Sequence, residues 1–440
     1  MDHYGGAGVT SPWQNFGWRS TNVPQAPLDP EERTRLDLPE TLRPVASPRA
    51  EQRSVFDPAL KQHANAYRAA DPSFGDPRLD IAWKAERRKA RDLVLSAIAE
   101  TPWADGLVLR GSVLLRAWFG DVAREPGDLD FVVSPTDRRI DEPRTATMLA
   151  GITQAVQEAA DASSGSVRFQ AADAISEDIW TYDRVPGRRL LLPWTVPGAS
   201  ELPGGAIQLD LVFNENLPIA PELLHIPPSG GDGTGALLQA VTPELSLAWK
   251  LMWLLTDTHP QGKDLYDAVL LAEHTTLRYQ ILREVFLDAE AGDASHPVDS
   301  DRIGNLDLGG EWRHFVSEYP ALPADENNLV IRLVAATAPT FTAVETPADT
   351  AYARHVRWLQ PRIERYRLLL AAKGMGAVQE RMQKDGLHLR AAIVITCDLL
   401  GRDDHGTEHA RAVVLADSAW APWVRIGERN PEWLTQQMHI

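Results

Sequence analysis

The stretch LRGSVLLRAWFGDVAREPGDLDFVV, residues 109–133, decides the fold that the sequence predicts. A short apolar strand leads to Gly111 and Ser112, an apolar helix follows, and a second apolar strand contains Asp128 and Asp130. This order of strand, turn, helix and strand is typical of a sheet covered by helices. Two carboxylates one residue apart in such an apolar strand need a chemical explanation.

The carboxylate pair predicts a metal site. Side chains alternate along a strand, so we expect Asp128 and Asp130 on one face and Leu129 on the other. Two like charges this close repel each other and are costly to bury, unless a cation lies between them. Mg²⁺, with Mn²⁺ as the alternative ion, prefers carboxylate oxygens, water and substrate phosphates. A later strand, IQLDLVF at residues 207–213, offers Asp210 as a third ligand.

Gly111 and Ser112 predict an anion site beside this metal site. They lie between a strand and a helix, where the first backbone N–H groups of the helix have no partner within the helix. Such a turn binds phosphate, because glycine permits close approach and the serine hydroxyl adds a hydrogen bond. Together, the turn and the carboxylates predict a site for a nucleoside triphosphate and a divalent metal ion.

Composition limits the class of protein. The 440 residues carry a formal net charge of −17 and contain a single cysteine, Cys397, so no intrachain disulfide is possible. No run of about 18 apolar residues predicts a membrane span, and the N-terminus lacks the pattern of a signal peptide, so we expect a cytoplasmic protein. So acidic a chain is not a general nucleic-acid coat. Two basic stretches, residues 84–91 and 354–390, are either local RNA contacts or solvated helix faces.

In these motifs, the chain resembles the nucleotidyl transferase AbiEii/AbiGii toxin family of the DNA polymerase β-like nucleotidyltransferase superfamily. The resemblance rests on the glycine turn, on the helix that ends at Gly120, and on the run Gly127 to Phe131. Two departures are visible: Arg110 replaces the first glycine of the usual pair, and Pro126 replaces a serine. The resemblance implies an α+β fold, with the mixed sheet and flanking helices of a polymerase β-like nucleotidyltransferase, followed by a helical C-terminal half.

A second block, TPELSLAWKLMWLLTDTHPQGKDLYDAVLLAE at residues 242–273, supports the same family. Lys250 is the only charged residue between Leu245 and Thr256 of an apolar helix, so its side chain either extends to the surface or faces a polar cleft. The resemblance favours a contact between Lys250 and nucleotide phosphate, and it places Asp264 in the active-site set. On helix electrostatics alone, Asp264 would simply stabilise the helix N-terminus.

Four regions are expected. Residues 1–75 form an extended N-terminal arm that is partly disordered, because they are rich in Pro, Gly, Ser and charge. Residues 76–240 form the nucleotidyltransferase core, and residues 241–335 a helical domain that completes the active site. Residues 336–440 form a mostly helical extension of unknown role.

The resemblance implies a toxin that transfers a nucleoside monophosphate from an NTP to an RNA hydroxyl, for which a tRNA 3′ end is one candidate. Asp128, Asp130 and Asp210 would hold the metal, Gly111 and Ser112 the triphosphate, and an antitoxin protein would be the partner in a toxin–antitoxin or phage-defence system. Two alternatives stay open at this point. One is a nucleotidyltransferase that modifies a small molecule such as an antibiotic, and the other is a catalytically silent relative that acts as a binding module.

Overall fold

A computed structural model of the chain describes its residues in these ranges: 11–181, 185–230, 233–289, 296–322, 325–342, 344, 350–401 and 404–440. The chain divides into two compact units. The first comprises Met1–Thr242 and His314–Leu322, and the second comprises Pro243–Arg313 and Pro323–Ile440. The boundaries of the four regions expected from the sequence remain a prediction.

Residues 11–75 are not the extended arm that the sequence suggests; residues 1–10 lie outside the described residues. Residues 11–75 contain α1 (Pro30–Leu36), β1 (Ala50–Glu51), β2 (Ser54–Phe56), β3 (Tyr67–Ala69) and β4 (Ser73–Phe74). The strands form two small antiparallel pairs, in which β1 pairs with β4 and β2 with β3. The expectation was wrong for residues 11–75 because scattered aromatic and aliphatic residues form a small core without sequence periodicity. The buried members of that core are Trp13, Phe16, Val23, Leu38 and Leu42.

An eight-stranded mixed sheet is the centre of the first unit, as predicted. Its order is β11-β12-β5-β6-β10-β9-β7, with β8 paired to β9. The pairs β6–β10 and β5–β12 are parallel, and the other neighbours are antiparallel. The strands are β5 (Leu107–Arg110), β6 (Leu129–Val133), β7 (Arg168–Phe169), β8 (Ile175–Thr181), β9 (Val185–Thr195), β10 (Gly205–Val212), β11 (Glu222–Ile226) and β12 (Ala236–Ala240).

Helices of this unit that contact the sheet include α2 (Pro77–Ala99), α3 (Ser112–Phe119) and α4 (Pro143–Ala162). Helix α2 packs against α4 and contacts β10 and β12. Alternation along β6 and β10 gives each strand one apolar face, whose side chains are fully buried. These side chains are Leu129, Phe131, Leu209 and Leu211. The predicted order of strand, turn, helix and strand across residues 109–133 is therefore confirmed.

The second unit is helical throughout its described residues, which confirms the helical C-terminal half. Its longest helix is interrupted at Gly374, whose φ of 79° is left-handed. Among the described residues, no helix combines the length and apolar character needed to cross a bilayer. The helices from Pro243 onward are α5 (Pro243–Thr256), α6 (Gly262–His274), α7 (Tyr279–Asp288), α8 (Ser300–Gly304), α9 (Gly310–Glu318), α10 (Glu326–Thr342), α11 (Ala351–Lys384), α12 (Leu389–Leu399), α13 (Thr407–Ala416), α14 (Ala421–Arg429) and α15 (Pro431–Met438).

The basic stretch 84–91 belongs to α2, and part of it has a structural task that the sequence did not reveal. Arg87 donates from Nη1 and Nη2 to the carbonyl oxygens of Pro126 and Gly127, at 3.0 and 2.8 Å. Arg91, which is also buried, donates to the Glu125 carboxylate at 3.0 Å. These arginines fix the loop that leads into Asp128, so they are not a solvated face.

Glu125 is the acidic partner in this arrangement. Burial opposes its charge, but hydrogen bonds and attraction from Arg88 and Arg91 outweigh burial and lower the pKa of Glu125 from 4.5 to about 2. A lowered pKa in the folded state means that the ion pair stabilises the fold above pH 4.5. That stabilisation is lost as the pH falls toward about 2.

Glu125→Gln should therefore lower the thermal midpoint at pH 7 by roughly 2–4 °C. The difference in thermal midpoint between wild type and variant should shrink steadily below pH 4.5, because wild-type Glu125 then gains a proton and loses its ion pairs with Arg88 and Arg91. Differential scanning calorimetry across pH 3–7 measures both quantities. Glu201→Gln is the control: its pair with Arg49 is exposed, so it should have little effect at any pH. A constant Glu125→Gln difference over the whole pH range would contradict the assignment.

Candidate active site

Four charged side chains occupy the same register position on neighbouring strands. Asp130 of β6 pairs with Arg110 of β5 on one side and with Asp210 of β10 on the other. Asp210 in turn pairs with Arg189 of β9. Residues in register on adjacent strands share a face of the sheet. The sheet therefore presents a row in which two carboxylates lie between two guanidinium groups.

Asp128, Asp130 and Asp210 form a cluster that suits a divalent cation. One carboxylate oxygen from each lies within 4.8 Å of the others. Ligand oxygens lie about 2.1 Å from Mg²⁺, so two oxygens on one ion are at most about 4.2 Å apart. Neighbouring ligand oxygens on an octahedral Mg²⁺ are about 3.0 Å apart, so side-chain movements of up to about 1 Å would bring the three oxygens onto one ion. The cluster thus fits the metal that the sequence predicts for these residues.

Arg189 is a partner of Asp210 that sequence reasoning missed. Its Nε and Nη2 donate to the two oxygens of Asp210, each at 2.8 Å, and its Nη1 donates to Asp57 Oδ2 at 2.7 Å. The Nε2 of Gln208 also donates a hydrogen bond to Asp210 Oδ2, at 3.2 Å. The available signal was an arginine pair at the start of the apolar strand RRLLLPWTV, residues 188–196. A bidentate pair fixes both the position and the plane of the Asp210 carboxylate.

Burial and charge act in opposite directions on this pair. Burial raises the pKa of Asp210, Arg189 lowers it, and the neighbouring charges of Asp128 and Asp57 raise it, so that the net shift is upward. Burial opposes the charge of Arg189, but attraction to Asp210 and Asp57 raises the pKa of its guanidinium well above the usual value. Arg189 therefore stays charged. A bound cation would lower the pKa of Asp210 again, which agrees with a metal-binding role.

The glycine turn lies directly against the carboxylates. Gly111 has a φ of 82°, and a Cβ at this position would overlap the Asp130 carboxylate. Only glycine therefore allows Asp130 its position next to the start of α3. Ser112 is buried, and its Oγ has no hydrogen-bond partner within the described part of the chain. An orphaned buried hydroxyl at a helix N-terminus is consistent with the predicted phosphate contact.

Arg110, which replaces a family glycine, has its own structural role. It is 3% exposed, and its Nη1 lies 3.0 Å from Oε2 of Glu215, just after β10. The substitution therefore adds a buried ion pair that connects the end of β5 to the chain after β10.

Lys250 and Asp264 come together in the second unit. The Lys250 Nζ lies 2.6 Å from Asp264 Oδ1 and 3.0 Å from Asp267 Oδ2, and all three side chains are buried. Lys250 does not extend to the surface, because its charge is neutralised within the unit by these two carboxylates. Asp267 was missed, although its position three residues after Asp264 places both on one helix face. The roles predicted for Lys250 and Asp264 at a nucleotide remain predictions.

The basic stretch 354–390 is partly paired with acids inside the second unit. Four exposed cations of α11 bind carboxylates, and these pairs are Arg365–Asp385, Arg381–Asp385, Arg367–Asp398 and Lys384–Glu380. Ion pairs within the unit therefore occupy part of this basic stretch.

The profile of the nucleotidyl transferase AbiEii toxin family, of type IV toxin–antitoxin systems, matches residues 93–345, more than half of the chain. This chain belongs to that family. The match includes the turn, the three carboxylates, Lys250 and Asp264. Residues 11–75 and the C-terminal helices after residue 345 lie outside it.

Among solved structures, the chain is similar to MenT4, a nucleotidyltransferase toxin from Mycobacterium tuberculosis H37Rv. The alignment has 17% sequence identity, covers 77% of this chain and 95% of that chain, and has a TM-score of 0.44. A similarity of this size supports no conclusion about the site. No curated protein matches the sequence.

Gly111→Ala tests the contact between turn and carboxylate in this AbiEii-family chain. The added methyl group should displace Asp130 and weaken Mn²⁺ affinity by about 10-fold or more. Isothermal titration calorimetry measures the affinity. Gly120→Ala is the matched control, because Gly120 also has a left-handed φ (60°) but a Cβ there would meet nothing within 4 Å. Both variants should lose about 1–2 kcal/mol of stability from backbone strain. Equal Mn²⁺ affinity in the two variants would contradict the proposed contact.

Lys250→Met tests the buried ion cluster. The substitution leaves Asp264 and Asp267 without their cation, so the free energy of unfolding should fall by about 3–5 kcal/mol. Chemical denaturation measures this free energy. Lys263→Met is the control: Lys263 lies at the start of α6, the helix that carries Asp264, and its substitution should change the free energy of unfolding by less than about 0.5 kcal/mol. Wild-type stability in Lys250→Met would show that the cluster does not stabilise the fold.

Proposed function

We propose that this AbiEii-family chain transfers a nucleoside monophosphate from an NTP to a hydroxyl group of RNA and releases pyrophosphate. A tRNA 3′ end is a candidate acceptor. The observation that supports the proposal is the convergence of Asp128, Asp130 and Asp210 beside the turn at Gly111. A cluster of carboxylates next to a phosphate-binding turn suits the transfer of a phosphoryl-type group.

In this proposal, Asp128, Asp130 and Asp210 hold Mg²⁺ or Mn²⁺, which would supply positive charge to the reacting phosphates. The backbone N–H groups at the start of α3, together with the Ser112 hydroxyl, bind the β- and γ-phosphates. Gly111 allows those phosphates to approach closely, because it has no side chain on the side that faces Asp130. The triphosphate is thereby oriented by the chain itself.

Asp210 is the candidate group to accept the proton of the attacking hydroxyl. Its carboxylate belongs to the cluster beside the turn, so it lies where the acceptor hydroxyl would lose its proton. Arg189 keeps the carboxylate oriented through two hydrogen bonds. The acceptor oxygen then forms a bond to the α-phosphorus, and the bond from the α-phosphorus to the bridging oxygen of pyrophosphate breaks.

The family assignment to type IV toxin–antitoxin systems supports an antitoxin as partner. Lys250 and Asp264 are proposed members of the functional set on the resemblance alone.

Asp130→Asn should reduce nucleotide transfer by roughly 100-fold or more, because the variant lacks one charge that holds the metal. One assay measures transfer of label from α-³²P-labelled NTPs to total RNA. A second assay sequences RNA 3′ ends after the protein has been expressed in a bacterial host. Asp178→Asn is the control, since Asp178 lies on β8 with a 67% exposed side chain. Growth arrest should disappear with Asp130→Asn and persist with Asp178→Asn.

The same labelled NTPs separate the alternatives. Label on an aminoglycoside, with none on RNA, would indicate an enzyme that modifies small molecules. No label on any acceptor, together with growth arrest that survives Asp130→Asn, would indicate a binding module and would refute the enzymatic proposal.

A further inference from the structure

A large cavity opens in the first unit, and we name it the arginine cavity. Its volume is about 1370 Å³. Small-molecule pockets are usually about 300–1,000 Å³, so this cavity has room for a segment of a polymer. Its walls are formed by residues of the N-terminal segment, of α2, of α3 and the loop before Asp128, and of β9 and β10. The chain at His314–Leu322 contributes the remaining wall residues.

The lining of the arginine cavity is positive in a chain that is strongly negative. Nine Lys and Arg residues line it against four Asp and Glu residues, whereas the whole chain carries a net charge of −17. A local excess of this kind attracts polyanions and raises their concentration at the surface.

Three of these cations build the walls. Arg68 is paired with Glu318 at 2.9 Å, and Arg124 Nη1 donates to the Tyr319 hydroxyl at 3.2 Å. Arg87 holds the loop before Asp128. These contacts connect residues that are far apart in sequence, so the cavity is an organised part of the fold.

Other cations are positioned to contact a ligand. Arg43 and Lys84 have side chains that are 45% and 51% exposed, and they pair with Glu40 at 3.7 Å and with Asp80 at 2.7 Å. Exposed pairs of this kind contribute at most about 1 kcal/mol, so a phosphate can replace the carboxylate at little cost. Arg53 is also exposed, and it donates to the carbonyl oxygen of Ser317 at 3.0 Å.

Trp18 indicates which polyanion fits. It is 76% exposed, and the guanidinium carbon of Arg19 lies 4.5 Å from its ring centroid. An exposed indole beside cations is a platform on which a nucleobase can stack while its phosphates contact the cations. An acidic peptide would use the cations but would gain little from the platform.

The arginine cavity also reaches the carboxylate cluster. Gln208 lines the cavity and donates to Asp210 Oδ2 at 3.2 Å, and Gly127, the residue before Asp128, lines it as well. A strand held in the cavity would therefore have its end next to the carboxylates.

We propose that the arginine cavity binds a single-stranded segment of the acceptor RNA, with phosphates on Arg43 and Arg53 and a base on Trp18. This inference rests on the proposed function. It assigns the binding of the acceptor to residues 18–73, which lie outside the part of the chain that the family profile matches.

The test measures the fluorescence anisotropy of a labelled 12-nucleotide single-stranded RNA with the full-length chain carrying Asp130→Asn, so that no transfer occurs. Arg43→Ala with Arg53→Ala should weaken binding about 10-fold or more at 100 mM KCl. The slope of log K against log salt should become about 1.4 units shallower, at about 0.7 for each lost phosphate contact. Trp18→Ala should weaken binding roughly 10-fold, and Trp18→Phe should restore most of it.

Matched controls separate this site from general charge effects. Arg139→Ala with Arg144→Ala removes the same charge from exposed pairs of the same unit, and Trp180→Ala removes another exposed indole. Neither should change RNA affinity. Circular dichroism melting identifies any variant that fails to fold. Affinity that is unchanged in both cavity variants, or lowered equally in the controls, overturns the inference.

The failure of this inference is distinguishable from failure of the proposed function. If wild type transfers nucleotide to RNA and the cavity variants keep the same KM for RNA, the function stands and the inference falls. If wild type transfers nothing but the cavity variants lose RNA affinity, the RNA site stands and the function falls. A polyglutamate peptide that binds more tightly than RNA, and does so through Arg43 and Arg53, would reassign the cavity to an acidic protein partner.

Discussion

The repulsion between Asp130 and Asp210 is the constraint on which the site depends. They lie in register on neighbouring strands, with ligand oxygens within 4.8 Å. At that distance two carboxylates repel each other by about 3–4 kcal/mol near a protein surface, where the effective dielectric constant is about 20. Two hydrogen bonds from Arg189 to Asp210 offset this repulsion. The excess negative charge that remains is what a divalent cation requires.

This arrangement explains why distant parts of the first unit are connected to the site. Asp57, from the N-terminal segment, binds the third nitrogen of Arg189. Glu177 of β8 accepts hydrogen bonds from the backbone of Glu40 and Thr41, which fixes the same segment against the sheet. The N-terminal segment, which the family profile does not match, therefore supports the carboxylate cluster, which the profile includes. The same segment also forms walls of the arginine cavity.

Local patterns were sufficient to predict the sheet, the turn and the carboxylates. Asp128, Asp130 and Gly111 lie within 20 residues of one another, and strand alternation predicts the two carboxylates on one face. In the structure, β6 begins at Leu129, so Asp128 lies just before the strand. Arg189 and Asp57 were missed because their ion pair joins residues 132 positions apart, which leaves no local signal. The N-terminal segment was mistaken for an arm because its core depends on contacts between scattered residues such as Trp13 and Leu42. The role of the basic stretch 84–91 was ambiguous for a similar reason, because the sequence does not show that Arg87 and Arg91 contact the loop before Asp128.

The most direct measurement is a crystal structure with Mn²⁺ and a non-hydrolysable NTP, recorded with anomalous scattering. An anomalous peak bound by Asp128, Asp130 and Asp210, with Arg189 still paired to Asp210 and the β- and γ-phosphates at Gly111 and Ser112, is the predicted result. Mn²⁺ bound elsewhere, or a triphosphate away from that turn, would contradict the central claim that the carboxylate row is a metal-dependent nucleotide site.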